Sequence, residues 1–237
     1  MPNTYFSFKQ FTIHQDKCAM KVCTDACILG AWFANKIHPY QHILDIGSGT
    51  GLIMLMLAQK TNASIQGIEI DAAAFEQLQN NIRNSPWASQ LQVAHADIRD
   101  YSFPHQFDFI ISNPPFFEND LVSVAGNEQT AKHSKDLTLA QLITCIQKHL
   151  TPDGSFGILL PWHRRDYFDN LATHQGFYLS AQLAVQQSPQ HPYFRAILQY
   201  KRSPQPFIEQ ESLIIKNSGN QYTHEFVELL RDYYLKL

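Results

Sequence analysis

The chain has 237 residues, 44% of them hydrophobic and only 16% charged, which describes one packed domain with additions rather than a disordered polymer. The formal net charge is -3, with 18 Lys and Arg against 21 Asp and Glu, so the basic excess of a backbone-driven nucleic-acid binder is missing. Four cysteines (Cys18, Cys23, Cys27, Cys145) form neither a paired disulfide framework nor a metal-ligand spacing, and read as reduced thiols.

The opening "MPNTYFSFKQ" carries no apolar signal core, and no window reaches the roughly 18 apolar residues of a membrane span. A soluble, cytoplasmic protein with no metal is expected. The lead-in "YFSFKQFTIHQDKCAMKV" reads as a hairpin-like extension. "TDACILGAWFAN" follows as an apolar helix with Thr24 expected at its N-cap.

Strands and helices then alternate. "QHILDIG" is a buried strand, "TGLIMLMLAQK" a helix apolar nearly all round, and "ASIQGIEI" a second strand. "DAAAFEQLQNNIRN" places Phe75, Leu78 and Ile82 on one helical face and stops at Ser85-Pro86. "LQVAHAD" and "FDFIIS" are the third and fourth strands. "LTLAQLITCIQKHL" is a helix with Leu139, Leu142, Ile143, Ile146 and Leu150 on one face, followed by a turn and a fifth strand in "TPDGSFGILLP". "FYLSAQLAV" and "FRAILQYKR" complete the set. This alternation predicts an α/β fold, a mostly parallel sheet with crossover helices. Residues 1–36 form a lead-in, 37–202 the core, and 203–237 a C-terminal extension expected to pack on the core.

Chemistry gathers at strand ends. "LDIGSGTG" places Asp45, Gly47, Gly49 and Gly51 where the first core strand turns into a helix, and glycines there let the backbone turn and approach a ligand. The spacing differs from the dinucleotide fingerprint and lacks the Lys of a phosphate loop. An acid at the strand end suits a ligand bearing an amino group, such as S-adenosylmethionine, better than a pyrophosphate. Glu69, about 20 residues on, is placed to accept ribose hydroxyls, with Asp71 the alternative or a helix cap. Asp97 follows the third strand and would accept from an adenine amine, with Ile98 packing on the ring. Each acid taken alone is as well explained as a cap or loop residue. Three at consecutive strand ends are not.

The fourth strand ends in "IISNPPFFEND". Two prolines fix the backbone and hold Asn113 extended. With Asp45-x-Gly47-x-Gly49-x-Gly51, Glu69 and Asp97, the run Asn113-Pro114-Pro115-Phe116 resembles the class I S-adenosylmethionine-dependent methyltransferases that modify exocyclic or amide nitrogens. That resemblance implies a Rossmann-like, mostly parallel seven-stranded sheet with helices on both faces and one antiparallel strand. It also implies roles. The Asn113 side-chain oxygen and the Pro114 carbonyl would accept the two N–H groups of the target amine, and Phe116 would stack on the target base. The motif alone leaves open adenine, guanine N2 in ribosomal RNA, or glutamine in a release factor. A non-catalytic cofactor- or RNA-binding module is the reading from a different class.

A denser likeness narrows this. "FKQF", "CAMKV", "TDA", "LGAW", "LDIGSGTGL", "NNIRNSPW" and "IISNPP" are similar to the bacterial tRNA1(Val) (adenine(37)-N6)-methyltransferases over most of the chain. The resemblance implies methylation of the adenine beside the anticodon of a valine tRNA, without a required protein partner. Cys23 stands where relatives are expected to carry Gly. Lys21, Thr24 and Asp25 are placed to close over the methionine end of the cofactor. Lys132, His133, Arg164 and Arg165 are the leading RNA-contact candidates, with Lys9, Lys17, Lys21, Lys135, Lys201 and Arg202 behind them.

Overall fold

The computed structural model describes residues 3–18, 20–37, 42–115 and 137–237. The lead-in forms a two-stranded antiparallel hairpin, β1 (Tyr5–Ser7) and β2 (Thr12–His14), with Tyr5 opposite His14. The core alternates α1 (Thr24–Ala34), β3 (His42–Ile46), α2 (Leu52–Ala58), β4 (Ser64–Glu69), α3 (Ala72–Arg83), β5 (Leu91–His95) and β6 (Phe107–Ser112). It continues through α4 (Leu139–His149), β7 (Leu150–Pro161), α5 (Arg165–His174), β8 (Tyr178–Gln186) and β9 (Tyr193–Lys201). The extension adds β10 (Glu209–Ile214) and α6 (His224–Leu230).

The large sheet has the order β10-β8-β9-β7-β6-β3-β4-β5, with β9 alone antiparallel to its neighbours. The seven expected strands are all there. An eighth, β10, pairs parallel to β8 and belongs to the C-terminal extension. The helix α5 was not legible beforehand. It is short, and its inward positions are only Phe168, Leu171 and Ala172 amid charged residues.

Both faces of the sheet are covered, which is why its inner strands read as unbroken apolar runs. Along β3, Ile43 faces one core and Leu44 the other. The first core holds α1, α2, α3, the hairpin and α6. The second holds α4 and α5. Helix α1 is buried from Asp25 to Ala34 because it lies between the sheet, α2 and α6. Its Phe33 ring lies against Gly157 of β7, where an added Cβ would sit 2.3 Å from the ring. Helix α4 is started by a reciprocal capping box, Thr138 Oγ1 accepting from Gln141 N (3.2 Å) and Gln141 Oε1 from Thr138 N (3.0 Å).

The two ends of the chain meet. Phe8 bridges to Tyr234, Lys9 N donates to the Tyr233 carbonyl (2.8 Å), and Tyr233 Oη donates to the Met56 carbonyl (3.0 Å). The Phe6, Phe8, Phe11 and Tyr234 rings meet in this seam, with Phe8 stacked on Phe11. The hairpin is thereby held against α3, and the segment after it, from Asp16, reaches the cleft. No described helix is long and apolar enough to cross a membrane.

Candidate active site

Strand order reverses at β3, whose neighbours are β4 on one side and β6 on the other. Chains leaving β3 and β6 diverge there, and open α/β sheets bind ligands in that crevice. A cleft of about 670 Å³ occupies it, large enough for a nucleoside-sized ligand. Its walls come from the turn after β3, the acidic ends of β4 and β5, the turn after β6, and the lead-in from Asp16 to Val22.

The first wall is the glycine turn. Gly47, Gly49 and Gly51 have φ of 75°, 52° and 84°, in the left-handed region. A Cβ at Gly47 or Gly49 would meet nothing within 4 Å, so those two backbones face open cleft. Gly51 does a different job. It lies off the cleft wall, and a Cβ there would fall 2.6 Å from Leu78 Cδ1.

Glu69 locks this turn to the next one. Its Oε2 accepts from Gly49 N (2.8 Å) and its Oε1 from Asp71 N (2.9 Å). Each oxygen keeps a lone pair for a hydroxyl in the cleft. Asp71 caps α3 by accepting from Ala74 N (2.8 Å), as the alternative reading had it. Asp97 lines the cleft with Ile98, but its carboxylate already takes Arg99 Nε on both oxygens (3.0 and 2.9 Å). The Arg99 hydrogen bonds hold its carboxyl below the ordinary value.

Asp45 sits beneath the turn with no exposed surface, and neither carboxylate oxygen meets a hydrogen-bond partner among the described residues. Burial pushes its carboxyl up to about 7 and the nearby Glu69 charge pushes the same way, while the Ser48 hydroxyl donates to the Asp45 backbone carbonyl (2.9 Å). A buried acid without a partner is a site lacking a counter-charge. The amino group and sulfonium of S-adenosylmethionine would supply one, so the residues present fit that cofactor.

The last wall holds Asn113, one residue beyond β6. Ser112 anchors the strand end by donating to the Ile46 carbonyl (2.8 Å). Pro114 is buried and Pro115 exposed. Asn113 Oδ1 is buried and has no hydrogen-bond partner among the described residues, while Nδ2 faces Met20 Sδ at 3.7 Å. A thioether only accepts, so this contact assigns the amide nitrogen to the Met20 side and leaves Oδ1 as the acceptor. Phe116, Lys132, His133 and Lys135 lie outside the described residues.

Several expectations need correction. Thr24 is the first helical residue of α1, not its cap. Cys23 takes the N-cap without a side-chain bond. Cys23 has φ -127° and ψ 154°, extended backbone that any residue adopts, so the expected Gly is not needed there. Neither Thr24 nor Asp25 lines the cleft. Ala26 does, and Asp25 pairs with Arg195 of β9 at 2.6 Å. Arg164 is 6% exposed, too buried for an RNA surface. Arg165 is paired with Asp166 (2.8 Å). Arg202 donates to the Gln147 and Leu150 carbonyls, and with Lys201 it sits beside the start of β7, at the opposite end of the sheet. Lys9 reaches the Arg231 carbonyl, whereas Lys17, paired with Glu76, and Lys21 both line the cleft. Burial pushes the Cys23 and Cys27 thiols up to about 12, and no group of described His, Cys, Asp or Glu can hold a metal.

The residues that pin the lead-in escaped sequence reasoning. Asn81, 1% exposed, accepts from His14 N and donates to the His14 and Thr50 carbonyls, all at 2.9 Å. Gln77 accepts from Lys17 N (2.8 Å) and donates to Asp16 (2.7 Å), and Gln15 accepts from Val22 N (2.8 Å). Their one signal is spacing. Gln77 and Asn81 are four apart on the face that also buries Leu78.

The methyltransferase small domain family matches residues 26–174, a stretch that runs from α1 through the glycine turn and Asn113 to α5. A protein of Dyadobacter fermentans, named tRNA1(Val) (adenine(37)-N6)-methyltransferase, is 40% identical over 238 residues, covering 99% of this chain and 98% of its own. The chain belongs to that methyltransferase family. A Bacteroides fragilis protein of the same name is 39% identical over the full length of both chains. A solved predicted O-methyltransferase from Agrobacterium tumefaciens shares the fold with a TM-score of 0.68 at 15% identity, over 88% of this chain and 96% of its own. Membership in the family extends to the lead-in and the C-terminal extension, because the likeness runs end to end.

Proposed function

We propose that the protein is an enzyme that transfers a methyl group from S-adenosyl-L-methionine to the exocyclic N6 of adenine 37 in tRNA1(Val), as its relatives' names state of them. One observation carries the chemistry: the buried Asn113 Oδ1, without a donor among the described residues, at the rim of a glycine-walled cleft. A buried acceptor of that kind costs stability unless something fills it. The adenine amine, with two N–H groups, is the matching donor.

The cofactor supplies an electrophilic sulfonium methyl. Gly47 and Gly49 would receive it closely, Glu69 would take ribose hydroxyls, Asp97 and Ile98 would meet the adenine end, and Asp45 would stand beneath as counter-charge. Asn113 Oδ1 and the Pro114 carbonyl would each accept one N–H of the target amine. Taking both hydrogens withdraws them from the ring plane and leaves the nitrogen lone pair free to point at the methyl. Pro114 and Pro115 fix both acceptors beforehand, so little ordering remains at the moment of reaction. Asn113 cannot take the proton fully. The proton passes to water once the new N–C bond has made the nitrogen acidic. Phe116 would stack on the unstacked base. The chain works as a single methyltransferase unit in the cytoplasm, where tRNA is found.

Nucleoside mass spectrometry of tRNA from cells with and without the gene tests the reading. Loss of N6-methyladenine from the valine tRNA alone is expected. Label from the cofactor appearing only in ribosomal RNA or in a release factor would overturn it.

A further inference from the structure

Of the cations offered by the sequence as RNA contacts, Lys17 and Lys21 line the cleft itself, and the rest are buried, paired, at the far end of the sheet or outside the described residues. Another kind of surface stands at the near end. Strand β7 ends at Pro161, which lies opposite Arg195 of β9, and both strand ends are on the side of the sheet where Asn113 emerges. Just beyond, the Trp162 and Tyr193 rings meet with centroids 4.8 Å apart. The Arg165 guanidinium lies over the Trp162 ring at 4.5 Å. Trp162 is half-buried against the second core, and Tyr193 is 38% exposed.

This cluster is held firmly. The turn before Tyr193 is closed by His191 N donating to the Ser188 carbonyl (3.0 Å) and by Gln190 Nε2 donating to Ser218 Oγ (3.1 Å). Two residues after Tyr193, Arg195 pairs with Asp25, whose neighbour Ala26 lines the cleft. An aromatic face is therefore fixed beside the cleft, backed by a second ring and a planar cation.

We propose that Tyr193, backed by Trp162 and Arg165, is a stacking platform for the nucleobase next to the target adenine. The proposal rests on the tRNA reading above. The chemistry favours RNA. Extruding one loop base leaves its neighbour without a stacking partner, and single-stranded bases are taken up on aromatic and guanidinium planes. The surface suits a chain with net charge -3, because stacking does not need a basic excess.

The test is steady-state methylation of anticodon-arm RNA by the full chain. Three arms are compared: intact, abasic immediately 5′ of the target, and abasic immediately 3′ of it. Wild-type enzyme should lose about tenfold or more in kcat/KM on one abasic arm. Tyr193→Ala should show a similar loss on the intact arm, through KM for RNA, with KM for the cofactor unchanged and no further loss on that abasic arm. Tyr193→Phe, which keeps the ring, should recover the intact-arm value. Wild-type indifference to both abasic arms overturns the platform without needing any variant to fold. So does a Tyr193→Ala enzyme as sensitive to the abasic arm as wild type. Failure of the wild type to methylate the intact arm and whole tRNA would instead overturn the tRNA reading itself.

Discussion

Asn113→Ala separates stability from chemistry at one residue. In the folded protein Asn113 Oδ1 has no donor among the described residues, and Nδ2 has only a thioether at 3.7 Å. Truncation therefore removes no strong hydrogen bond and relieves one buried acceptor. The expected change in unfolding free energy is within about 1 kcal/mol, in contrast to the loss of about 1–3 kcal/mol when a buried partner is orphaned. On the proposed mechanism the transition state loses one of two fixed acceptors for the target amine. Removal of one such preorganised group typically lowers kcat about 10²–10³-fold, or about 2.7–4 kcal/mol. Urea unfolding gives the first quantity, single-turnover methyl transfer from labelled cofactor the second, and calorimetric titration should find cofactor affinity close to wild type. A variant that keeps its rate would refute the role of Asn113. So would one that unfolds several kcal/mol more easily, since Oδ1 would then hold the fold together.

Asp45 makes stability depend on pH. Its carboxyl is pushed up to about 7 by burial, so between about pH 4 and pH 7 the folded chain holds a proton that the unfolded chain has released. Its contribution is most favourable at low pH and falls, by a few kcal/mol, as pH rises through that window. Asp45→Asn should flatten the profile in urea titrations of the cofactor-free protein and weaken cofactor binding at pH 8. An unchanged profile would show that Asp45 does not hold the proton. Gly51→Ala, at φ 84° with Leu78 in the way, should cost about 1–3 kcal/mol of stability by thermal denaturation and distort the turn that carries Gly49. Asn81→Ala removes the partner of three backbone groups, His14 N and the His14 and Thr50 carbonyls, the last of them in a buried bond, and should cost about 1–3 kcal/mol by urea unfolding, with raised cofactor KM because the lead-in loses its anchor.

How much of the site was legible follows from where each residue's partners lie. Gly47, Gly49, Glu69 and Asp97 could be placed because a strand end is local. Period and composition mark the strand, and the next residue is the site. Asn113 could be placed for the same reason, sharpened by two prolines that fix the backbone with no outside help. Thr24 and Asp25 were misplaced because a cap and an ion pair depend on what arrives from elsewhere, here Arg195, 170 residues later. Arg164 and Arg202 looked like free surface cations for the same reason. A basic residue in a sequence does not reveal its burial.

By itself, the sequence determined the alternation that builds a doubly covered parallel sheet, the glycine turn after its first strand, and the rigid Asn-Pro-Pro turn after its fourth. Those features depend on near neighbours along the chain, whose conformational preferences act without the rest of the molecule. Only the tertiary structure decided that the hairpin and the C-terminal segment meet across the first core, that β10 extends the sheet, and that Gln77 and Asn81 hold the lead-in over the cleft. Tyr193 came beside Trp162 in the same way. Each of these rests on contacts between residues distant in sequence, and such contacts form only when burial of both faces of the sheet brings the segments together.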